Sequence, residues 1–341
     1  MVRFLVIITA CALSLPAHAY VHFSGGFGGS KWGVDPTAGT PAVVTWGFMP
    51  DGTAVEPSFE LDPWNFPGQT GFSGTSNLSS LRQRIDVTQG HGAGAFDAAL
   101  QRAFATWSEV ANIVFIGPIT DPGLPFPSTG ATTPDIRIGA FMPAAGHSFN
   151  NVGAVGFGPP GFGPDPLAGD IIFNLGANFD IVVGTEDVTP LPWVNDLEGL
   201  FLHELGHAAI GLGHPSWDGE TPDQRVMYVG DYEKPEAPFC CETINRELHP
   251  DDIAGAWYAY GIRGDYNSDG VVNAADYTVW RDGLGDDYVA GDYAPWAAHY
   301  GAVRPTDPGA YAIPEPSAIT ALAMTIAVGG VSRPRLRYPC R

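Results

Sequence analysis

Apolar side chains recur with helical spacing in three segments of the chain. The run 96–107 places apolar residues three or four positions apart, which predicts an amphipathic helix with one buried stripe. A second helix is predicted to begin near Asn195 and Asp196, either of which could cap it, and to continue through Leu205. A third is predicted over 250–260.

Short runs rich in β-branched and aromatic residues predict strands between these helices. Proline-rich loops separate most of the runs, and a Gly/Pro/Ser-rich stretch over 51–94 is interpreted as a long irregular insertion. Because strands and helices interleave, the pattern predicts one domain ending near Ile262, followed by a smaller unit over 263–304. The predicted strands are 42–48, 113–116, 135–138, 154–157 and 170–173.

The amino-acid composition limits which classes of molecule the chain can bind. The chain has 341 residues, with 44 Gly and 31 Pro, and its 16 Lys+Arg against 37 Asp+Glu give a net charge of −21. Such a chain repels phosphate at long range, which argues against a nucleic-acid partner. Acidity by itself identifies no substrate, because it also serves solubility and calcium binding.

The first residues predict export. A basic residue, Arg3, precedes an apolar run over 4–15 and the small-residue site Ala17-His18-Ala19, which together describe a secretory signal peptide over 1–19. A permanent membrane span is disfavoured because it needs about 20 apolar residues. The mature chain is expected to begin near Tyr20.

The last residues resemble a bacterial PEP-CTERM sorting signal, assigned to 305–341. Pro314-Glu315-Pro316 is followed by an apolar stretch over 318–331 and by basic residues at 333, 335 and 337. The resemblance implies processing by an exosortase and delivery to the cell envelope or extracellular matrix. As a helix the stretch would reach only about 21 Å, less than a bilayer core of about 30 Å. A transient signal is therefore favoured, and a lasting anchor stays open.

The strongest chemical motif is His203-Glu204-Leu205-Gly206-His207, H-E-x-x-H on the second predicted helix. Side chains at i and i+4 share a face, so the two imidazoles can bind one zinc ion. Glu204 lies beside the metal, where it can act as the general base. H-E-x-x-H also occurs by chance on surface helices, but the apolar flanks and a further histidine make that alternative weaker.

The third ligand is predicted to be His214. An unbroken helix would place it about 16 Å from His203, so the chain must turn back, and Gly211 and Gly213 permit that. The pattern resembles the metzincin motif H-E-x-x-H-x-x-G-x-x-H and the matrixin family in particular. Here one extra residue lies between His207 and Gly211, which a π-bulge or an added helical residue could absorb.

Two further blocks extend the matrixin resemblance over most of 40–262. Val226-Met227-Tyr228 looks like the Met-turn, in which Met227 would form an apolar floor under the metal. Leu248 to Gly255 resembles the C-terminal helix motif L-x-x-D-D-I-x-G. The resemblance implies an α+β catalytic domain over 20–262 with a twisted mixed sheet, an active-site helix and a C-terminal helix, followed by a small dockerin-like calcium unit. It also implies peptide substrates that add along 154–158 as an extra strand.

Two features common in matrixins are expected to be absent. His147 lies where a structural-zinc ligand would be, but Val155 and Ile172 stand at the other approximate places. No cysteine precedes the motif in the mature chain, which excludes latency by a thiol, and only the adjacent pair Cys240 and Cys241 remains there. The remaining histidines His22, His91 and His299 are expected to be solvated.

A second metal motif lies in the small unit. Residues 265–276 match D-x-N-x-D-G-x5-D, whose oxygens suit calcium, with Gly270 at the sharp turn. The loop resembles a dockerin repeat, but no second loop follows, which argues against a cohesin partner and favours a calcium-stiffened spacer. The predicted calcium ligands are Asp265, Asn267, Asp269, Val271 through its carbonyl, Asn273 and Asp276.

Together these features favour a secreted zinc endopeptidase that acts on protein or peptide substrates. One alternative is a non-catalytic surface or matrix protein that keeps the fold with a distorted zinc site and attaches through its calcium unit. The extra residue before Gly211 keeps this alternative open. An adhesin organised only by the calcium unit would leave Glu204 and its histidines without a role.

Overall fold

The computed structural model describes residues 20, 22, 31–63, 65–160, 165–184, 194–215, 225–228 and 244–305. The predicted signal peptide 1–19, Cys240 and Cys241, and all but the first residue of the predicted sorting signal lie outside these ranges. No helix within them is long and apolar enough to cross a bilayer.

A central mixed sheet organises the fold. Its strand order is β3-β1-β4-β6-β5, with the short β2 paired to β4. The pairs among β3, β1, β4 and β6 are parallel, whereas β5 runs antiparallel to β6 and forms one edge of the sheet. A separate ribbon joins β7 and β8. The strands are β1 Ala42–Phe48, β2 Phe72–Ser73, β3 Ile113–Ile116, β4 Ile136–Pro143, β5 Ala154–Gly156, β6 Ile171–Asn174, β7 Phe179–Asp180 and β8 Asn195–Asp196.

Helices α1, α2 and α3 pack against the sheet. The three predicted ones are α2, α3 and α4, and α2 packs along α3. The buried stripe of α2 enters the main core with Trp107 and Phe96 fully buried, and burial of each such side chain contributes about 2–3 kcal/mol. The helices are α1 Leu78–Gln83, α2 Ala95–Val110, α3 Leu197–Leu205, α4 Pro250–Tyr260, α5 Ala274–Asp282 and α6 Tyr293–Ala298.

The stretch 51–94 is more ordered than its composition predicted. It contains β2, helix α1 and a π-helical turn over Arg84–Thr88. Asn77 caps α1, and Leu78, Leu81 and Ile85 are buried at helical spacing. The interpretation as a wholly irregular insertion was wrong, because this short apolar period was overlooked among turn residues. The other face of the sheet carries a second apolar cluster of Met49, Phe72, Phe126, Phe141, Phe149 and Ile172.

The C-terminal unit over 263–305 contacts the main domain through polar bonds. Arg263 donates from its backbone N–H to Val110 O at 3.2 Å and from its guanidinium to Ser108 O at 2.8 Å. The unit consists of the loop 265–276 and the two helices α5 and α6, which pack on each other through aromatic rings such as Tyr277 and Trp296, 5.2 Å apart.

Candidate metal centre

Helix α3 holds the first half of the site in the protein interior. Asp196 caps it by accepting a hydrogen bond from a backbone N–H of the first turn at 2.9 Å. Trp107 of α2 donates its indole N–H to Leu202 O at 3.0 Å. His203 and Glu204, which follow, are buried. Contacts at both its start and its middle therefore fix where the helix presents these side chains.

A π-helical turn takes up the extra residue. It covers Gly206–Ile210, directly after α3, and contains His207. Gly211 ends it with a φ of 80°, a left-handed conformation that glycine adopts without a steric penalty. The N–H of Leu212 then bonds back to the carbonyl of the turn's first residue at 2.9 Å. The chain reverses there and brings His214 back to the helix.

Three imidazole nitrogens meet at this reversal. The Nε2 atom of His203 lies 3.1 Å from that of His207 and 3.2 Å from that of His214, and the last two are 2.8 Å apart. The Nδ1 atoms of His203 and His207 face the carbonyl oxygens of Val226 and Leu212, at 2.7 and 2.6 Å. A carbonyl only accepts, so both Nδ1 atoms donate, and the Nε2 lone pairs of both rings point into the cluster.

The residues fit a zinc ion. Burial lowers the pKa of His203 to about 4 and that of His207 to about 3, and burial with the neighbouring histidines lowers the pKa of His214 well below its ordinary value. Neutral rings with converging lone pairs repel one another until a cation lies between them. Ligand nitrogens of tetrahedral zinc are about 3.3 Å apart, close to the spacing found here. The group comprises these three ligands among the described residues.

Glu204 lies next to the edge strand of the sheet. A Cβ added to Gly156 on β5 would be 3.1 Å from Glu204 Oε2 and 2.6 Å from the Glu204 carbonyl oxygen. The strand can therefore approach the backbone of Glu204 this closely only with glycine at 156. Gly156 belongs to the site, although the sequence showed it only as part of a glycine-containing strand.

The residues 225–228 lie under the metal-binding turn. Met227 is buried, and its Sδ is 2.1 Å from where a Cβ on Gly206 would be, so the thioether fills the space that glycine leaves. Asp252 of α4 accepts hydrogen bonds from the N–H groups of Val226 at 2.9 Å and Met227 at 3.2 Å. It thereby fixes the segment whose carbonyl orients His203, a role that sequence spacing did not show.

Other predicted site residues lie elsewhere. His147 is buried outside the cluster, with Nδ1 accepting from the N–H of Phe149 at 3.1 Å, and Val155 pairs with Ile172 in the sheet.

The expectation that three histidines are solvated was wrong: each has a polar partner. His22 bonds the carbonyl of Gly255, His91 pairs with Asp180, and His299 bonds the carbonyl of Arg263.

The loop 265–276 is closed by its own carboxylates. Asp276 is fully buried and accepts from the backbone N–H groups of Tyr266, Asn267 and Asn273. Asp265 accepts from the N–H groups of Asp269 and Gly270, and its pKa is raised by burial and then by the charges of Asp276 and Asp269. These carboxylates do not bring three oxygens within 4.8 Å of one another in the described structure.

Comparison with known proteins adds one relative. No family model matches the chain. The chain is similar to Metalloendoproteinase 1 of Glycine max. The two are 28% identical over 237 residues, which is 67% of this chain and 63% of the relative. The chain therefore spans less than two thirds of the length of the relative that it matches.

Proposed function

We propose that the chain is a secreted zinc-dependent endopeptidase of the matrixin type. The observation that carries the proposal is the convergence of the Nε2 atoms of His203, His207 and His214, 2.8–3.2 Å apart, beside the buried carboxylate of Glu204. The similarity to a metalloendoproteinase supports the same assignment.

The proposed chemistry assigns a separate task to each group. The three Nε2 atoms would hold the ion, and Nδ1–H bonds to backbone carbonyls keep two of the rings oriented. When bound, zinc lowers the pKa of a water molecule and polarises the scissile carbonyl. Glu204 accepts the proton of that water on its carboxylate and delivers it to the leaving amine nitrogen.

The edge strand β5 is the proposed docking site for the substrate. One side of β5 pairs with β6, and the strand ends the sheet, so an extended peptide can add to its other side through main-chain hydrogen bonds. The contact between Gly156 and Glu204 would place a peptide on β5 next to the general base.

A single substitution tests the assignment. Glu204→Gln keeps the size of the side chain but removes its basicity, so the variant should still bind one equivalent of zinc while cleaving peptides about 100- to 10,000-fold more slowly. The matched control is Glu109→Gln, which makes the same change on an exposed part of α2. Zinc content is measured by mass spectrometry and cleavage with a broad peptide library.

The outcomes separate the enzyme from its alternative. A Glu204→Gln variant as active as wild type would contradict the proposed base. A wild type that binds zinc but cleaves nothing in the library would favour the non-catalytic surface or matrix protein. The second result would locate the function in attachment and not in hydrolysis.

The proposal for localisation follows from the two ends of the chain. Residues 1–19 would direct export and then be removed, and exosortase processing within 305–341 would deliver the protein to the cell envelope or matrix. The unit over 263–304 would act as a calcium-stiffened spacer between the catalytic domain and that signal. Mass spectrometry of the protein from whole cultures, cells and medium together, should find Tyr20 as its first residue; a protein that stays inside the cells with Met1 intact would contradict export.

A further inference from the structure

Two carbonyl groups at the end of the π-helical turn receive hydrogen bonds from distant side chains. The indole N–H of Trp32 donates to Ala208 O at 2.8 Å. The hydroxyl of Tyr260, at the end of α4, donates to Ala209 O at 2.7 Å. Both alanines lie in the stretch that carries the extra residue, and both are fully buried.

These carbonyls need donors from outside the helix. In a continuing α-helix they would accept from the N–H groups of Leu212 and Gly213. The reversal at Gly211 removes those partners, because the N–H of Leu212 turns back to Gly206 O. A buried carbonyl left unpaired costs about 1–3 kcal/mol. The donors from Trp32 and Tyr260 offset this cost for the two carbonyls of the enlarged turn.

The two donors belong to one network. The backbone N–H of Trp32 donates to the Tyr260 hydroxyl at 3.0 Å, so that the hydroxyl accepts from one residue and donates to Ala209. The ammonium group of Lys31 lies 5.0 Å from the centre of the Tyr260 ring and donates to Trp32 O at 2.9 Å. Trp32 and Tyr260 therefore hold each other as well as the turn.

We infer that Trp32 and Tyr260 are positioning residues that clamp the enlarged turn and so keep His214 in reach of the other two ligands. The inference rests on the proposed function. In a regular helix one added residue rotates the following chain by about 100°, which would turn His214 away from the site. Trp32 and Tyr260 hold the two carbonyls in the wider turn. The chain therefore reverses at Gly211 in the position that brings His214 next to His203 and His207.

The test uses two substitutions that remove the side-chain donors and keep an aromatic ring at each position. Trp32→Phe and Tyr260→Phe should each weaken zinc binding about 10-fold, as loss of an orienting partner does in other metal sites. Each should also change the visible absorption of the cobalt(II)-substituted protein, because His214 is less well held. Zinc affinity is measured by competition with a chelator, and unfolding by urea is recorded alongside.

Trp257→Phe is the matched control. Trp257 lies on α4, and its indole N–H also donates to a partly buried backbone carbonyl, that of Val110, at 2.9 Å. This variant should lose stability like the others while zinc affinity and the cobalt spectrum stay as in wild type. Tyr260→Phe removes a single oxygen, so it keeps the test valid if Trp32→Phe does not fold.

The inference is overturned if both clamp variants are destabilised but keep the zinc affinity and cobalt spectrum of wild type. A wild type that binds zinc without cleaving peptides would contradict the proposed function alone, since the clamp is measured through metal binding. A wild type that binds neither metal would overturn both.

Discussion

At the scale of single residues, the site depends on what lies directly behind each metal-binding group. Two imidazoles are oriented by backbone carbonyls, and the helix that carries them rests on Met227 at Gly206. A Cβ on Gly206 would be 2.1 Å from Met227 Sδ and 3.2 Å from Trp107 Cζ2. There is no room for a methyl group between the helix and this floor.

Gly206→Ala should therefore destabilise the metal-free protein by about 1–3 kcal/mol and also weaken zinc binding, because either the buried Met227 side chain or the turn that carries His207 must shift. Urea unfolding and chelator competition measure the two effects. Gly291→Ala is the control, since a Cβ there meets nothing within 4 Å. Equal stability of the two variants would show that the contact below Gly206 is not tight.

The sequence could predict the residues of the site whose geometry is local. His203, Glu204 and His207 follow from the periodicity of one helix, and the glycines made a return of His214 plausible. Gly156, Asp252 and Trp32 could not be predicted in the same way, because their roles arise from contacts between segments far apart in the chain. No periodic pattern carries such information.

At the scale of elements, helix α4 acts as a support for the metal-binding segment. Its N-terminal Asp252 accepts hydrogen bonds from Val226, Met227 and, at 3.0 Å, the N–H of His249. The carboxylate lies fully inside the protein, and burial raises its pKa from 3.8 to about 7. A carboxyl group with such a pKa is charged in the folded state only near neutral pH and above.

This shift predicts a pH dependence of stability. The folded state binds the Asp252 proton more tightly than the unfolded state, so the contribution of Asp252 is largest below pH 4 and is lost as the pH rises toward 7. The loss amounts to at most about 4 kcal/mol. Urea unfolding of the metal-free protein between pH 4 and 7 should show this slope, and Asp252→Asn should remove it. Parallel profiles for the two proteins would contradict the prediction.

The elements themselves were predictable where their periodicity is long. Helices α2, α3 and α4 lie within three residues of the expected bounds, since each has a sustained apolar stripe or a capping residue. Helix α1 was missed because it contains only six residues. Strand β5 runs antiparallel to its neighbour β6. The strand patterns did not indicate this direction, because it depends on tertiary packing.

At the scale of the whole molecule, a small acidic unit over 263–304 follows the proposed catalytic domain. In the loop 265–276, Asp276 is fully buried, and Asp265 has a raised pKa, partly because of the neighbouring carboxylates. A divalent cation would offset the repulsion among these carboxylates, as calcium does in loops of this sequence pattern.

The full chain should therefore bind one calcium ion in this loop, with a higher unfolding temperature in its presence. Asp265→Asn should abolish both effects. Asp282→Asn changes an exposed aspartate outside the loop, paired with Arg281, and should leave both effects intact. Calorimetric titration and thermal unfolding measure them; absence of binding at millimolar calcium would contradict a calcium-stiffened spacer.

Zinc-dependent hydrolysis can be tested by titrating zinc into the metal-free protein while peptide hydrolysis is measured. Activity should be absent without metal, rise in proportion to added zinc and reach its limit at one equivalent, since His203, His207 and His214 form one ligand group among the described residues. Hydrolysis that persists without metal, or one bound equivalent of zinc that brings no hydrolysis, would contradict the proposal that the protein is a zinc-dependent endopeptidase.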